Sequence, residues 1–154
     1  MRTRTFLLVL FFAAALSFST PAAELKRVLL IGQGPDGHPP GTHEFMAGCR
    51  VVEALLKPWA GEIKTTIAKA DEPWPEGPKI LDEADGIVLL VTQGARWMQT
   101  DVARFNALKR LAERKGGIVA LHWSVGAKDA EYIPGQLALL GGTRGGPERK
   151  YKIL

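Results

Sequence analysis

The chain contains three histidines and four tryptophans. Six of these seven residues lie in four short stretches that also carry carboxylates and amides. The first stretch holds Asp36, His38, His43 and Glu44; the second holds Asp71, Glu72 and Trp74. The third holds Gln93, Arg96 and Trp97, and the fourth His122, Trp123 and Ser124. Histidine titrates near neutrality, which suits general acid–base work. Amides and a guanidinium bind hydroxyl or carbonyl oxygens, and tryptophan offers a flat apolar face to a ring. Ser124 lacks the glycine pattern of a nucleophile elbow, and the elbow position itself is His122. The glycines of "GQGPDG" are interrupted by proline and open no helix, so they make a poor dinucleotide fingerprint. A divalent metal could be held by His43 and His122 with either His38 or Glu44, leaving a position open to water. No HExxH spacing accompanies them, and the cofactor stays open.

These stretches follow four apolar runs, "RVLLI", "EIKTTIA", "GIVLLV" and "GIVAL". Runs apolar at every position are expected of parallel strands buried on both faces; "EIKTTIA" alternates enough to lie near a sheet edge. Between them, a helix is expected from a Thr42 cap to about Lys57, with Phe45, Cys49, Val52 and Leu56 inward. Trp59 follows it and is expected to cover the opposite end of the core. A short helical turn should span residues 80–84. A second full helix should open at Thr100 and Asp101, with Val102, Phe105, Leu108 and Ala112 inward. "TQGARWMQ" reads as a loop, residues 136–140 as a short helix, and the final "YKIL" as the start of a strand.

Strands alternating with helices predict an α/β fold, a doubly wound, flavodoxin-like parallel sheet with helices on both faces. Such sheets bind ligands at the carboxyl ends of their strands, and all four chemical stretches fall there. The alternatives for single residues are plain. Trp74 could pin its own proline-rich loop, Arg96 could pair with Asp101 or another carboxylate, and His38 could be an exposed loop residue.

The 154-residue chain opens with "MRTR", an apolar run over residues 6–18, and the small-residue segment "STPAAE". This pattern predicts a signal peptide over residues 1–22, hence a secreted or periplasmic protein with no membrane attachment after cleavage. Loss of Arg2 and Arg4 with the leader brings the 20 basic side chains closer to the 16 acidic ones. No Lys/Arg stripe marks a nucleic-acid face. The single cysteine, Cys49, cannot form an internal disulfide and reads as a core residue.

"RVLLIGQGPDGHPPGTHEF", "ADGIVLLVTQGARW", "KGGIVALHWSVG" and "LLGGTRGGPERKYKIL" together resemble the ThuA-like domain family, named for trehalose utilisation and related in fold to class I glutamine amidotransferases. The likeness extends over about residues 25–154. It implies a domain over residues 23–154 that acts in the use of trehalose or keto-sugars, with a small-molecule carbohydrate as its partner. The family's His-Glu pair corresponds to His43-Glu44 and its Leu-His step to Leu121-His122. The amidotransferase relatives carry a catalytic cysteine where His122 stands, so glutaminase chemistry is not expected. Histidines that some members carry after the third strand are replaced by Gln93 and Arg96. The family domain continues beyond the segment matching residues 150–154, so the domain reads as truncated at its C-terminus.

The resemblance and the residues lead to one expectation. A His-based acid/base site would use His122 and His43, steadied by Glu44, with Gln93, Arg96, Trp97, Trp123 and His38 binding the sugar. The alternative is a non-catalytic saccharide-binding module of the same fold.

Overall fold

The structure is a computed structural model and describes residues 24–145. The expected leader and the "YKIL" strand fall outside the described residues. The central sheet has four parallel strands, β1 (Lys26–Gly32), β2 (Ile63–Lys69), β3 (Gly86–Leu90) and β4 (Gly117–Ala120), in the order β2-β1-β3-β4. This is the flavodoxin-like α/β arrangement, and β1 and β3 flank its switch point. Around the sheet lie α1 (Phe45–Leu56), α2 (Gly77–Glu83), α3 (Gly94–Thr100), α4 (Val102–Glu113) and α5 (Ile133–Leu140). A second, two-stranded parallel sheet joins β5 (Gly126–Ala127) to β6 (Arg144–Gly145). No helix among the described residues is long and apolar enough to cross a membrane.

The unbroken apolar runs reflect helices on both faces. Leu29, Ile31, Ile87, Leu89 and Val91 pack with Leu81 of α2 and with Ala107, Leu108 and Leu111 of α4. On the opposite face α1 brings buried Phe45 and Cys49 against the sheet. The approach there is close: a Cβ on Gly48 would stand 2.6 Å from Leu90 Cδ2. Each fully buried leucine or isoleucine contributes roughly 1.5–3 kcal/mol of transfer free energy. As expected from its alternation, β2 is an edge strand with Ile63, Thr65 and Ile67 half-buried.

Several expectations are corrected. Thr42 does not cap α1; the cap position is Glu44, whose side chain reaches back to the Gly41 amide at 2.9 Å. The segment read as the loop "TQGARWMQ" contains the helix α3. Helix α4 does open on Asp101, whose carboxylate accepts from the Arg104 amide at 3.0 Å, but its inner face is rotated. Val102 is 72% exposed and Ala112 is also exposed, while Arg104, Ala107, Leu108 and Leu111 are buried. Trp59 covers no core and is 51% exposed. Helices α2 and α5 each begin three residues before the expected point. β4 is not buried on both faces: among the described residues it is the sheet's other edge, and Val119 and Leu121 are exposed.

Candidate functional site

Because all four strands run parallel, the loops after them meet along one rim. The chain after β1 turns through Gly37 and Gly41, whose φ angles of 87° and 83° lie in the left-handed region open to glycine. These turns fold the loop back on itself. Asp36 thereby faces two histidines: its Oδ2 lies 2.7 Å from His43 Nδ1 and its Oδ1 lies 2.9 Å from His38 Nδ1. The His38 backbone N–H donates to the same Oδ1 at 3.3 Å. Desolvation alone would raise the Asp36 pKa. The hydrogen bonds from His43 and His38 outweigh it and hold the carboxyl down at about 2.

From the end of β4, Trp123 donates its indole N–H to His43 Nε2 at 3.0 Å. An indole nitrogen is a donor only, so Nε2 is the bare nitrogen of the ring and Nδ1 carries the proton toward Asp36. The His43 ring is stacked with Phe45, the first residue of α1, at 5.7 Å between centroids. His122 stands edge-on to it, 5.1 Å away. His43 and Asp36 are nearly enclosed, with side chains 8% and 9% exposed, whereas His38 is 51% exposed. His122 is exposed and has φ 54°, a conformation unusual for a non-glycine residue and worth of order 1–3 kcal/mol of strain. Behind it Ser124 is fully buried and its hydroxyl bonds backbone groups of Leu89 and Val91, so it is structural.

The remaining expected residues form a second group at the β1/β3 switch point. Gln33, Glu72, Thr92, Gln93, Arg96 and Trp97 line a cavity of about 230 Å³. Gln93 has φ 45°, and its buried Oε1 has no hydrogen-bond partner among the described residues. Gln33 fixes the floor by accepting from the Thr92 amide at 2.8 Å. Trp97 is 4% exposed and belongs to the core, its ring 5.8 Å from that of Trp74. Trp74 is buried at 2% exposure and packs into the fold rather than facing a ligand. Arg96 is exposed and reaches Asp129 at 3.8 Å, not Asp101. Neither this cavity nor a second one of about 200 Å³, near the amino ends of β1 and β2, is lined by a histidine.

The structure thus brings His38, His43, His122 and Trp123 together, and separately groups Gln93, Arg96 and Trp97 around the cavity. Glu44 does not steady His43. It is exposed and turned to Gly41, and Asp36 takes that role. Sequence reasoning placed Asp36 on the rim without assigning it to the site; the signal was an acid one glycine away from His38 in a loop bent by two glycines. Asp36, His38 and His43 can also bring three ligating atoms within 4.8 Å of one another. No family model, curated protein or solved structure matches the chain.

Proposed function

We propose that the chain is a secreted or periplasmic ThuA-like protein acting on trehalose or a keto-sugar through a His-based acid/base site at the carboxyl rim. The observation that carries this reading is the cavity at the switch point, lined by the polar side chains of Gln33, Thr92, Gln93 and Arg96. Amides and hydroxyls of this kind both donate and accept, as recognition of a polyhydroxyl ligand requires. The volume is smaller than the roughly 300–1,000 Å³ of drug-sized sites, which suits a single sugar ring, that of a keto-monosaccharide or one of the two rings of trehalose. Arg96 adds a cation for a carbonyl or hydroxyl oxygen. His122, strained and open to solvent, is the acid or base, and His43 is the oriented ring beside it.

The alternative of a non-catalytic saccharide-binding module is favoured by a different observation. The Trp123 indole N–H donates to His43 Nε2 at 3.0 Å, so that nitrogen is engaged within the fold rather than offered to a substrate. Turnover of trehalose and a panel of keto-sugars by the full chain and by His122→Ala separates the two. The catalytic reading expects the variant to lose about 10²–10⁴-fold in rate. Unchanged turnover in the variant overturns it, and saccharide binding without turnover in either protein establishes the module.

A further inference from the structure

We propose that Asp36, His38 and His43 form a binding site for a divalent transition-metal ion of the zinc type. The site shares His43 with the sugar reading, but its test uses the metal alone and needs no saccharide.

The geometry is that of a chelating loop. All three side chains come from "DGHPPGTH", eight residues in which Pro39 and Pro40 restrict the backbone and Gly37 and Gly41 turn it back. Bringing the ligands together therefore costs little further entropy. The two rings, 4.3 Å apart between centroids, both aim Nδ1 at the same carboxylate, at 2.7 and 2.9 Å. Donors around a tetrahedral ion with bonds of about 2.0–2.2 Å stand roughly 3.4 Å apart. The three ligating atoms already lie within 4.8 Å of one another, so a contraction of at most about 1.4 Å would bring them to the spacing around an ion that replaces the protons now holding the cluster together.

The donor set selects the class of ion. Two imidazoles and a carboxylate suit zinc, cobalt or nickel, while calcium and magnesium prefer oxygen alone and copper(I) prefers sulfur. The only thiol, Cys49, is buried in α1 and is not among the converging atoms. His38 leaves one side of the cluster open to solvent, which provides a fourth position for water or a ligand oxygen.

Loading has a consequence for Trp123. When Nδ1 of His43 binds an ion, the proton of the neutral ring sits on Nε2, and Nε2 then donates instead of accepting. The Trp123 indole N–H, now 3.0 Å away, loses its acceptor and turns from the ring. Trp123 is therefore a built-in reporter of occupancy.

Zinc chloride titrated calorimetrically into the full chain at neutral pH, in a buffer that does not chelate, tests the site. The expected result is one ion per chain with a Kd on the order of micromolar or tighter. His38→Ala removes a solvent-facing ring that the fold does not need, and Asp36→Asn keeps the loop's shape. Each should weaken binding by at least about 10-fold while circular dichroism shows a folded protein. Cobalt(II) should give the visible absorption of a tetrahedral site in the parent and lose it in both variants. Tryptophan emission should change on zinc addition in the parent, while Trp123→Phe should still bind zinc without that change. Absence of one-site binding, affinity that survives both His38→Ala and Asp36→Asn, or an emission change that persists in Trp123→Phe overturns the proposal.

Discussion

Ser124→Ala tests how the lip that carries His122 and Trp123 is held. The Ser124 hydroxyl is fully buried between the ends of β3 and β4. It accepts from the Val91 amide at 2.7 Å and can donate to the Leu89 carbonyl at 2.9 Å or the Val91 carbonyl at 3.1 Å. Removing it leaves the Leu89 carbonyl with its other donor, the Leu121 amide at 3.0 Å. The Val91 amide is left with none among the described residues. Val91 is 0% exposed, so water cannot replace the hydroxyl without entering the core. The cost is that of one orphaned buried donor, about 1–3 kcal/mol, with a small addition for the missing atom. At roughly 3–5 °C per kcal/mol for a domain of this size, the melting temperature should fall by about 3–15 °C. Thermal and urea unfolding of the parent and the variant measure this, with an unchanged urea m-value showing that the loss is one of stability. A loss under about 0.5 kcal/mol would refute the reasoning, since the hydroxyl would then not be the Val91 amide's necessary partner.

Two further perturbations address charged groups. Arg104 is fully buried, with its guanidinium 4.4 Å from the Trp97 ring centroid and 2.6 Å from a half-exposed Glu72, but its Nε and Nη1 have no hydrogen-bond partner among the described residues. Arg104→Met should therefore be within about 1 kcal/mol of the parent or more stable. Glu72→Ala strands the cation and should cost about 1–3 kcal/mol, discounted for the exposure of Glu72; the reverse order in urea unfolding contradicts this. Asp36 has its pKa lowered from 3.8 to about 2 in the folded chain, so its contribution is fully present above pH 4 and disappears as pH falls through 2. Melting curves of the parent and Asp36→Asn should thus differ at pH 6 and converge by pH 2, and a gap that widens on acidification contradicts the assignment.

The sheet was legible because strands covered on both faces keep their apolar residues in unbroken runs. β1 and β3 show this directly. α3 was not legible because its start depends on a distant contact. A Cβ on Gly94 would lie 1.9 Å from the Ser124 carbonyl oxygen, a constraint that no local periodicity carries. The face of α4 was misjudged because an arginine occupies a core position. Arg104 hides the apolar stripe and is accommodated by Trp97, Glu72 and the Thr100 hydroxyl, which come from other elements. The histidines' place on the rim followed from parallel topology alone. Their pairing did not, because adjacency pointed His43 to Glu44, whereas two left-handed glycines turn the loop so that Asp36 meets it. The grouping of Gln93 and Arg96 around a separate cavity also depends on α3, which the sequence pattern did not disclose.

The central claim is that this rim binds a saccharide through Gln93, Arg96 and the histidine cluster. The most direct measurement is an NMR titration of the full chain with trehalose and keto-sugars, following the Gln93 side-chain amide, the Trp123 indole N–H and the His122 ring. Saturable shifts at all three, with loss of the Gln93 response in Gln93→Ala, are the predicted result. Shifts confined to residues away from the rim, or no saturable shift with any of these sugars, would contradict it.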